Sequence, residues 1–263
     1  MSATNDEKLI KRAILVMSGK GGVGKSTVAS QLAMALALKG SRVGLLDVDI
    51  CGPSIARMLD SEQGEVIQTE KGWAPVKVRN NLELYLMSMA FLTSNKDSAV
   101  IWRGPKKHSM IERFVTGVDW GQLDCLVVDT PPGTSDEHIS LVELLRGHQI
   151  PAQVLLVTTP QVVACNDVRR EISFCRTSGM KICGLVENMS GFSCPHCSEC
   201  TRVFSSNGGE SLCQLADLEF LGSIPIDPNL CRCTETGVAY MEEFKGSPAA
   251  KVLDGVATII LAS

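Results

Sequence analysis

Residues 18–27 read SGKGGVGKST, and this stretch decides the fold. It satisfies the pattern G-x-x-x-x-G-K-[ST] from Gly19 to Ser26. An apolar segment of strand length precedes it and an Ala- and Leu-rich segment of helix length follows it. Glycines let backbone N–H groups turn towards phosphate oxygens, and the N-terminus of a helix adds partial positive charge. The stretch therefore predicts a phosphate-binding loop between a strand and a helix.

We expect the whole loop to contact a nucleotide. Lys25 should reach the β- and γ-phosphates, and the Ser26 hydroxyl should complete the ligand shell of a Mg²⁺ ion. A guanine-reading N-K-x-D run is missing after the later predicted strand at 182–186, so ATP is favoured over GTP. The loop residues predicted to bind ATP are Gly19, Lys20, Gly21, Gly22, Val23, Gly24, Lys25, Ser26 and Thr27.

Strand-like and helical segments alternate along the chain outside this loop. The predicted strands cover 13–17, 43–48, 84–89, 125–128, 154–158, 182–186 and 220–223, and the predicted helices cover 25–39, 106–115, 136–147, 161–178, 210–216 and 247–262. This alternation predicts an α/β fold with a doubly wound, mostly parallel sheet. We expect a single domain over residues 1–263, with a cysteine-bearing loop near 190–210.

Composition narrows the class of protein. The net charge is −4 and 44% of the residues are hydrophobic, so nothing favours binding to nucleic acid or to an anionic membrane surface. The first residues are polar, unlike the apolar core of a signal peptide. The 11 cysteines suit a reducing compartment. We therefore expect a cytosolic protein, or a nuclear one, with no membrane and no nucleic-acid partner.

Acidic residues follow two of the predicted strands. Asp129 ends the run LVVD, in the manner of a Walker B acid, and should hold Mg²⁺ through the ion's water shell. Asp47 and Asp49 end the run LLDVD, and they point to opposite faces if the strand continues through both. Side chains at the carboxyl ends of parallel strands lie where such sheets bind ligands.

A cysteine cluster, CPHCSEC at 194–200, is the second strong feature. The C-x2-C spacing lets the thiolates of Cys194 and Cys197 converge on one metal centre. A zinc site would need further ligands, such as Cys200, Cys213 or His196, whereas an iron–sulfur cluster prefers four thiolates. A redox dithiol would usually begin a thioredoxin-type βαβ unit, and this pair does not. The residues alone leave zinc and iron–sulfur open.

The lysine at position 20 makes the loop resemble the deviant Walker A motif, KGGVGK[ST], of the SIMIBI-class ATPases that include nitrogenase iron protein, MinD and ParA. This resemblance implies a dimer in which Lys20 contacts the partner's nucleotide. It also implies that Asp49 orients the attacking water while Asp47 lies nearer Mg²⁺. An asparagine at the place of Asn188 implies recognition of the adenine edge.

Five segments together resemble the Mrp/NBP35 family of ATPases, and the resemblance runs from about residue 12 to 250; they are 18–27, 46–54, 102–107, 127–138 and 186–197. It implies an ATP-dependent scaffold that assembles a [4Fe–4S] cluster and passes it to cytosolic and nuclear apoproteins. Cys194 and Cys197 from each of two chains would supply the four thiolates.

No cysteine precedes Cys51, so we expect the shorter cytosolic type of this family, which lacks a four-cysteine N-terminal extension. The resemblance implies a longer NBP35-type partner, in a heterodimer or heterotetramer, or else a homodimer. It also implies ATP binding with weak hydrolysis that depends on the partner. The alternative is a ParA/MinD-like regulatory switch with a structural zinc site.

Overall fold

The computed structural model describes residues 9–49, 52–92, 104–193 and 200–263. Within these residues the strands are β1 (Ala13–Met17), β2 (Val43–Asp47), β3 (Ile67–Thr69), β4 (Gly72–Ala74), β5 (Val76–Lys77), β6 (Leu84–Ser88), β7 (Cys125–Asp129), β8 (Ala152–Thr158), β9 (Lys181–Ser193), β10 (Cys200–Thr201) and β11 (Phe220–Ile226). The helices are α1 (Lys25–Leu38), α2 (Ile55–Met58), α3 (Gly104–Thr116), α4 (Asp136–Gly147), α5 (Val162–Thr177), α6 (Gly208–Ala216), α7 (Pro228–Thr236), α8 (Tyr240–Glu243) and α9 (Pro248–Ala262), and Met89–Phe91 forms one 3₁₀ turn.

The main sheet has the order β10-β9-β8-β1-β7-β2-β6-β5, and β11 also pairs with β9. The strands from β9 to β6 in this order run parallel, whereas β5 and β10 are antiparallel to their neighbours. The predicted doubly wound, mostly parallel sheet is therefore confirmed. No helix in the described part of the chain is long and apolar enough to cross a bilayer.

Alternating side chains of β1 show how the sheet is covered on both faces. Ile14 and Val16 pack into one apolar cluster with α1 and α9, while Leu15 and Met17 pack into a second cluster with α3, α4 and α5. All four side chains are fully buried, which stabilises the fold by about 1.5–3 kcal/mol for each large aliphatic residue. The core holds the parallel strands in register, so their carboxyl ends meet at one edge.

Helix α1 begins directly at the loop between β1 and α1. Gly24 precedes it in the left-handed conformation, with φ 82°, and Gly40 follows its end with φ 87°. Ala and Leu, which have the strongest helix propensities, make up half of its 14 residues. A left-handed glycine after the last turn is a common helix stop. These signals explain why the predicted bounds of this helix agree with the structure to within a residue.

The structure also contains elements that the sequence patterns did not predict: the β3–β4 hairpin, the short strands β5 and β10, and helices α2, α7 and α8. Strand β9 runs for 13 residues, well beyond the predicted end at 186. The polar run after Val186 suggests a turn, and Met189 does have a positive φ of 57°. The strand continues because β11 pairs with it in parallel as far as Phe192.

Candidate functional site

The backbone of residues 19–27, the phosphate cradle, faces an open cavity. Gly22 has φ 79°, and a Cβ atom added to Gly21 or Gly22 would meet nothing within 4 Å. The cavity has a volume of about 210 Å³, and Lys20, Lys25 and Asp49 are among the residues that line it. Backbone N–H groups in such a loop, placed at the N-terminus of a helix, bind anions.

Other glycines of the cradle are required by close packing. A Cβ on Gly19 would lie 2.4 Å from the backbone carbon of Asp167 in α5. A Cβ on Gly24 would lie 2.2 Å from Nδ2 of Asn188 in β9, and its φ of 82° already favours glycine. The cradle is thus fixed against α5 and β9 on the sides away from the cavity.

Lys25 and Ser26 both contact Asp129. The Lys25 ammonium donates to Oδ1 of Asp129 at 2.6 Å, and the Ser26 hydroxyl donates to Oδ2 at 2.6 Å. The lysine and aspartate side chains are only 7% and 1% exposed. A buried ion pair of this kind leaves a strongly unfavourable charge if one partner is removed. Asp129 therefore holds the Lys25 ammonium and the Ser26 hydroxyl at the rim of the cradle.

Asp47 lies next to Asp129, at the end of the neighbouring strand. The two residues pair across β2 and β7, and Asp47 accepts bonds from the Ser88 hydroxyl at 3.0 Å and from the Asp49 N–H at 3.1 Å. Complete burial, and then the nearby Asp129 carboxylate, raises the pKa of Asp47 to about 8. Burial also raises the pKa of Asp129, against the opposing effect of Lys25. Two buried carboxyls beside one ammonium fit a site for a divalent cation.

Asp49 occupies a different position from Asp47. It is half-buried and lines the cavity together with Lys20 and Pro132. The structure therefore brings the cradle, Asp47, Asp49 and Asp129 together at one edge of the sheet. Oxygen ligands and a lysine in this arrangement can bind phosphates and an associated cation.

The segment after β7 lies against the cradle. Gly133 has φ 77°, and its N–H donates to the carbonyl of Ser18 at 2.8 Å. The segment then enters α4, where the Ser135 hydroxyl and N–H contact Nδ1 of His138 at 3.1 and 3.3 Å. Burial lowers the pKa of His138 to about 4 although the Glu137 carboxylate is nearby.

Asn188 joins the middle of β9 to the cradle. Its side chain is buried, and Nδ2 donates to the carbonyl of Val23 at 2.9 Å. This contact ties residue 188 to the loop that the phosphate motif defines. The resemblance to nucleotide-binding relatives suggested Asn188, whereas its bond to the loop backbone is visible only in three dimensions.

Cys194 and Cys197 lie outside the described residues. The backbone on either side of them is described: Ser193 pairs with Cys200, and Phe192 pairs with Thr201, in an antiparallel ladder. Cys213 is buried in α6, and burial raises the pKa of its thiol to about 11. In the described ranges, no group of three or more Cys, His, Asp or Glu side chains could hold a metal ion.

Some polar residues near the site escaped the sequence analysis. Ser88 is buried at the carboxyl end of β6, next to Asp47, whereas Glu187 is buried in the middle of β9, level with the last residue of β8. The general tendency of ligand sites to lie at the carboxyl ends of parallel strands would have pointed to Ser88. The contact between His138 and Ser135, in contrast, depends on the local turn that starts α4.

Comparison with known proteins agrees with this architecture. The chain matches the family model for ParA, described as a NUBPL iron-transfer P-loop NTPase, over residues 9–261. The human cytosolic Fe-S cluster assembly factor NUBP2 is 56% identical over 252 residues, covering 96% of this chain and 93% of the relative. The NUBP2 homologue of Dictyostelium discoideum is 55% identical, covering 90% of this chain and 89% of the relative.

Solved structures show the same fold. A nucleotide-binding protein from Archaeoglobus fulgidus, described in complex with ADP, is 35% identical with a TM-score of 0.78, covering 92% of this chain and 91% of the other. MinD from Aquifex aeolicus has a TM-score of 0.68 at 23% identity, covering 96% and 98% of the two chains, which shows likeness of fold alone. From the family match and these identities, the chain belongs to the ParA family of P-loop NTPases, in the group described as NUBPL iron-transfer proteins.

Proposed function

We propose that this protein is an ATP-dependent scaffold that assembles a [4Fe–4S] cluster at a dimer interface and transfers it to apoproteins. One observation carries the proposal: in a chain 56% identical to an Fe-S cluster assembly factor, β9 leads from the cradle contact of Asn188 to Ser193, immediately before Cys194. The cluster is the cargo of the protein. The relatives are named cytosolic, in agreement with the compartment that the composition predicts.

The cradle residues would bind Mg·ATP. Lys25 and Ser26, which contact Asp129 in the structure, would turn to the phosphates and to the cation. Asp129 and Asp47 would hold Mg²⁺ through its water shell, and the ion would supply charge that offsets the phosphate oxygens. The side-chain oxygen of Asn188 would accept from the adenine amino group.

Hydrolysis would need residues from both subunits. Asp49, which faces the cavity, would orient the attacking water, and Lys20 would reach the nucleotide of the partner subunit. The N–H of Gly133 would leave the Ser18 carbonyl and point to the γ-phosphate. Positioning of this kind supplies most of the catalysis in phosphoryl transfer. We expect slow turnover until the partner binds.

The partner would be a longer NBP35-type subunit, in a heterodimer or heterotetramer, although a homodimer could also hold the cluster. In either assembly Cys194 and Cys197 provide half of the four thiolates that such a cluster prefers. A ParA/MinD-like switch with structural zinc has less support, because the likeness to MinD is confined to the fold.

Anaerobic reconstitution with iron and sulfide tests the proposal. The wild type should retain both after gel filtration, and Cys194→Ala/Cys197→Ala should lose most of them. Cys231→Ala, at an exposed cysteine of α7, is the matched control and should behave as the wild type. Equal retention by the double variant would overturn the assignment. Stoichiometric zinc without iron, in protein purified anaerobically, would support the switch instead.

A further inference from the structure

Two adjacent residues in the middle of β9 bind different parts of the molecule. Glu187 pairs with Thr158 of β8 in the sheet, and Asn188 follows it. Successive side chains of a strand point to opposite faces. One residue can therefore contact the cradle while its neighbour contacts the chain around the cysteine pair.

Glu187 uses both of its carboxylate oxygens. The residue is 1% exposed; Oε1 accepts from the Ser190 hydroxyl at 2.6 Å, and Oε2 accepts from the Gly209 N–H at 2.7 Å. Hydrogen bonds to a charged acceptor are stronger than neutral ones. In the chain, Ser190 precedes Cys194 and Cys197 and Gly209 follows them. One buried carboxylate thus binds both ends of the excursion from 190 to 209.

Close packing also fixes the C-terminal end of this excursion, at Gly208 and Gly209. A Cβ on Gly208 would lie 2.4 Å from the Pro160 carbonyl oxygen, and a Cβ on Gly209 would lie 3.0 Å from Leu185. The first turn of α6 therefore lies flush against β9 and the segment after β8. Movement of β9 in this region would therefore shift both ends of the excursion.

Asn188 provides the other contact. Its Nδ2 donates to the Val23 carbonyl of the cradle, and Gly24 packs directly against the same nitrogen. A change in the conformation of the cradle must alter this bond or shift residue 188. Because residue 187 is joined to it by one peptide bond, the shift reaches the carboxylate that binds Ser190 and Gly209.

We propose that Glu187 is a positioning residue that holds both ends of the cysteine-bearing excursion and, through Asn188, links its geometry to the state of the cradle. The inference deepens the proposed function and rests on it. Glu187 touches neither cluster nor nucleotide in this role; it acts through the backbone of residues 190 and 209.

The test compares Glu187→Gln with Glu210→Gln, which removes the same charge from an exposed residue one position after Gly209. An amide nitrogen cannot accept either bond, so the first variant loses one of its two contacts. Each reconstituted protein is challenged anaerobically with an iron chelator, with and without ATP, and its affinity for a fluorescent ATP analogue is measured. Ser190→Ala, which removes one contact at a less buried residue, serves if the first variant folds poorly.

We expect Glu187→Gln to lose iron roughly 10-fold faster than wild type, and the effect of ATP on that rate to disappear. Its affinity for the ATP analogue should stay within about twofold of wild type, because the cradle keeps its own contacts. Glu210→Gln should match the wild type. Equal loss of iron by Glu187→Gln and wild type would overturn the inference, as would a parallel loss of ATP affinity. If the wild type retains no cluster at all, it is the proposed function that fails.

Discussion

Lys25 has two roles that a pair of substitutions can separate. Lys25→Met leaves the buried Asp129 without its ammonium partner, so the free energy of unfolding should fall by about 3 kcal/mol. ATP affinity should fall on the order of 100-fold, because a charged donor to phosphate is lost. Chemical denaturation and titration with a fluorescent ATP analogue measure the two effects.

The double variant Lys25→Met/Asp129→Asn should regain most of this stability and none of the ATP affinity. Lys39→Met, at a half-exposed lysine paired with Asp254, is the control for loss of a positive charge. Recovery of ATP binding in the double variant would mean that Lys25 acts only on Asp129. Failure to regain stability would mean that the ion pair contributes little to the fold.

His138 should make stability depend on pH. Burial lowers its pKa to about 4 in the folded protein, below the ordinary value of 6.5, so the unfolded chain takes up the proton first as pH falls. Stability present above pH 6.5 is therefore lost on acidification towards pH 4. Between pH 7 and pH 5 the free energy of unfolding should fall by about 2 kcal/mol more for the wild type than for His138→Asn.

Urea denaturation at the two pH values measures this difference. Asparagine keeps an acceptor for the Ser135 N–H but does not titrate. His148→Asn, at an exposed histidine, should keep the pH dependence of the wild type. An equal change in the free energy of unfolding between the two pH values for His138→Asn and wild type would show that the buried imidazole does not cause the pH dependence.

Single residues differ in how far the sequence could predict their roles. Lys25 and Asp129 were found because a continuous motif and a strand end mark them, and the structure brings them within 2.6 Å. The raised pKa of Asp47 could not be predicted, because it depends on complete burial next to a second carboxyl. Glu187 was missed because its partners are separated from it in sequence by up to 22 residues.

At the scale of elements, two helix glycines should respond oppositely to alanine. Gly208→Ala would force a Cβ against the Pro160 carbonyl oxygen, so the free energy of unfolding should fall by about 2 kcal/mol. Gly255→Ala, in the exposed middle of α9 with nothing within 4 Å, should raise it by about 0.5–1 kcal/mol. Thermal denaturation with urea titration measures both, and stabilisation by Gly208→Ala would contradict the packing of α6.

Elements with strong local signals were predicted well, and elements held by distant partners were not. The bounds of α1 and α4 follow from helix formers, glycines and polar starts close in sequence. The length of β9 instead depends on pairing with β11. Helix α7 was overlooked although its signals are local: Asp227 caps it and Pro228 occupies its first turn.

At the scale of the whole molecule, Lys20 should control assembly. Wild type should associate when ATP is added, because Lys20 would bind the phosphates of the facing subunit. Lys20→Gln should weaken this association roughly 10-fold, through loss of one charge-assisted contact. Light scattering after size-exclusion chromatography, with and without ATP, measures the change. Unaltered ATP-dependent association of the variant would exclude a role for Lys20 across the interface.

Strand β11 has a consequence for solubility. Among the described strands it pairs only with β9, so its other side is an edge of the sheet. Two register shifts interrupt it, Gly222 has φ 141°, Pro225 offers no N–H, and α9 packs beside it. Irregular, proline-bearing edges are poor templates for a further strand from another molecule. This border of the sheet should therefore resist pairing with strands of other molecules and growth into fibrils.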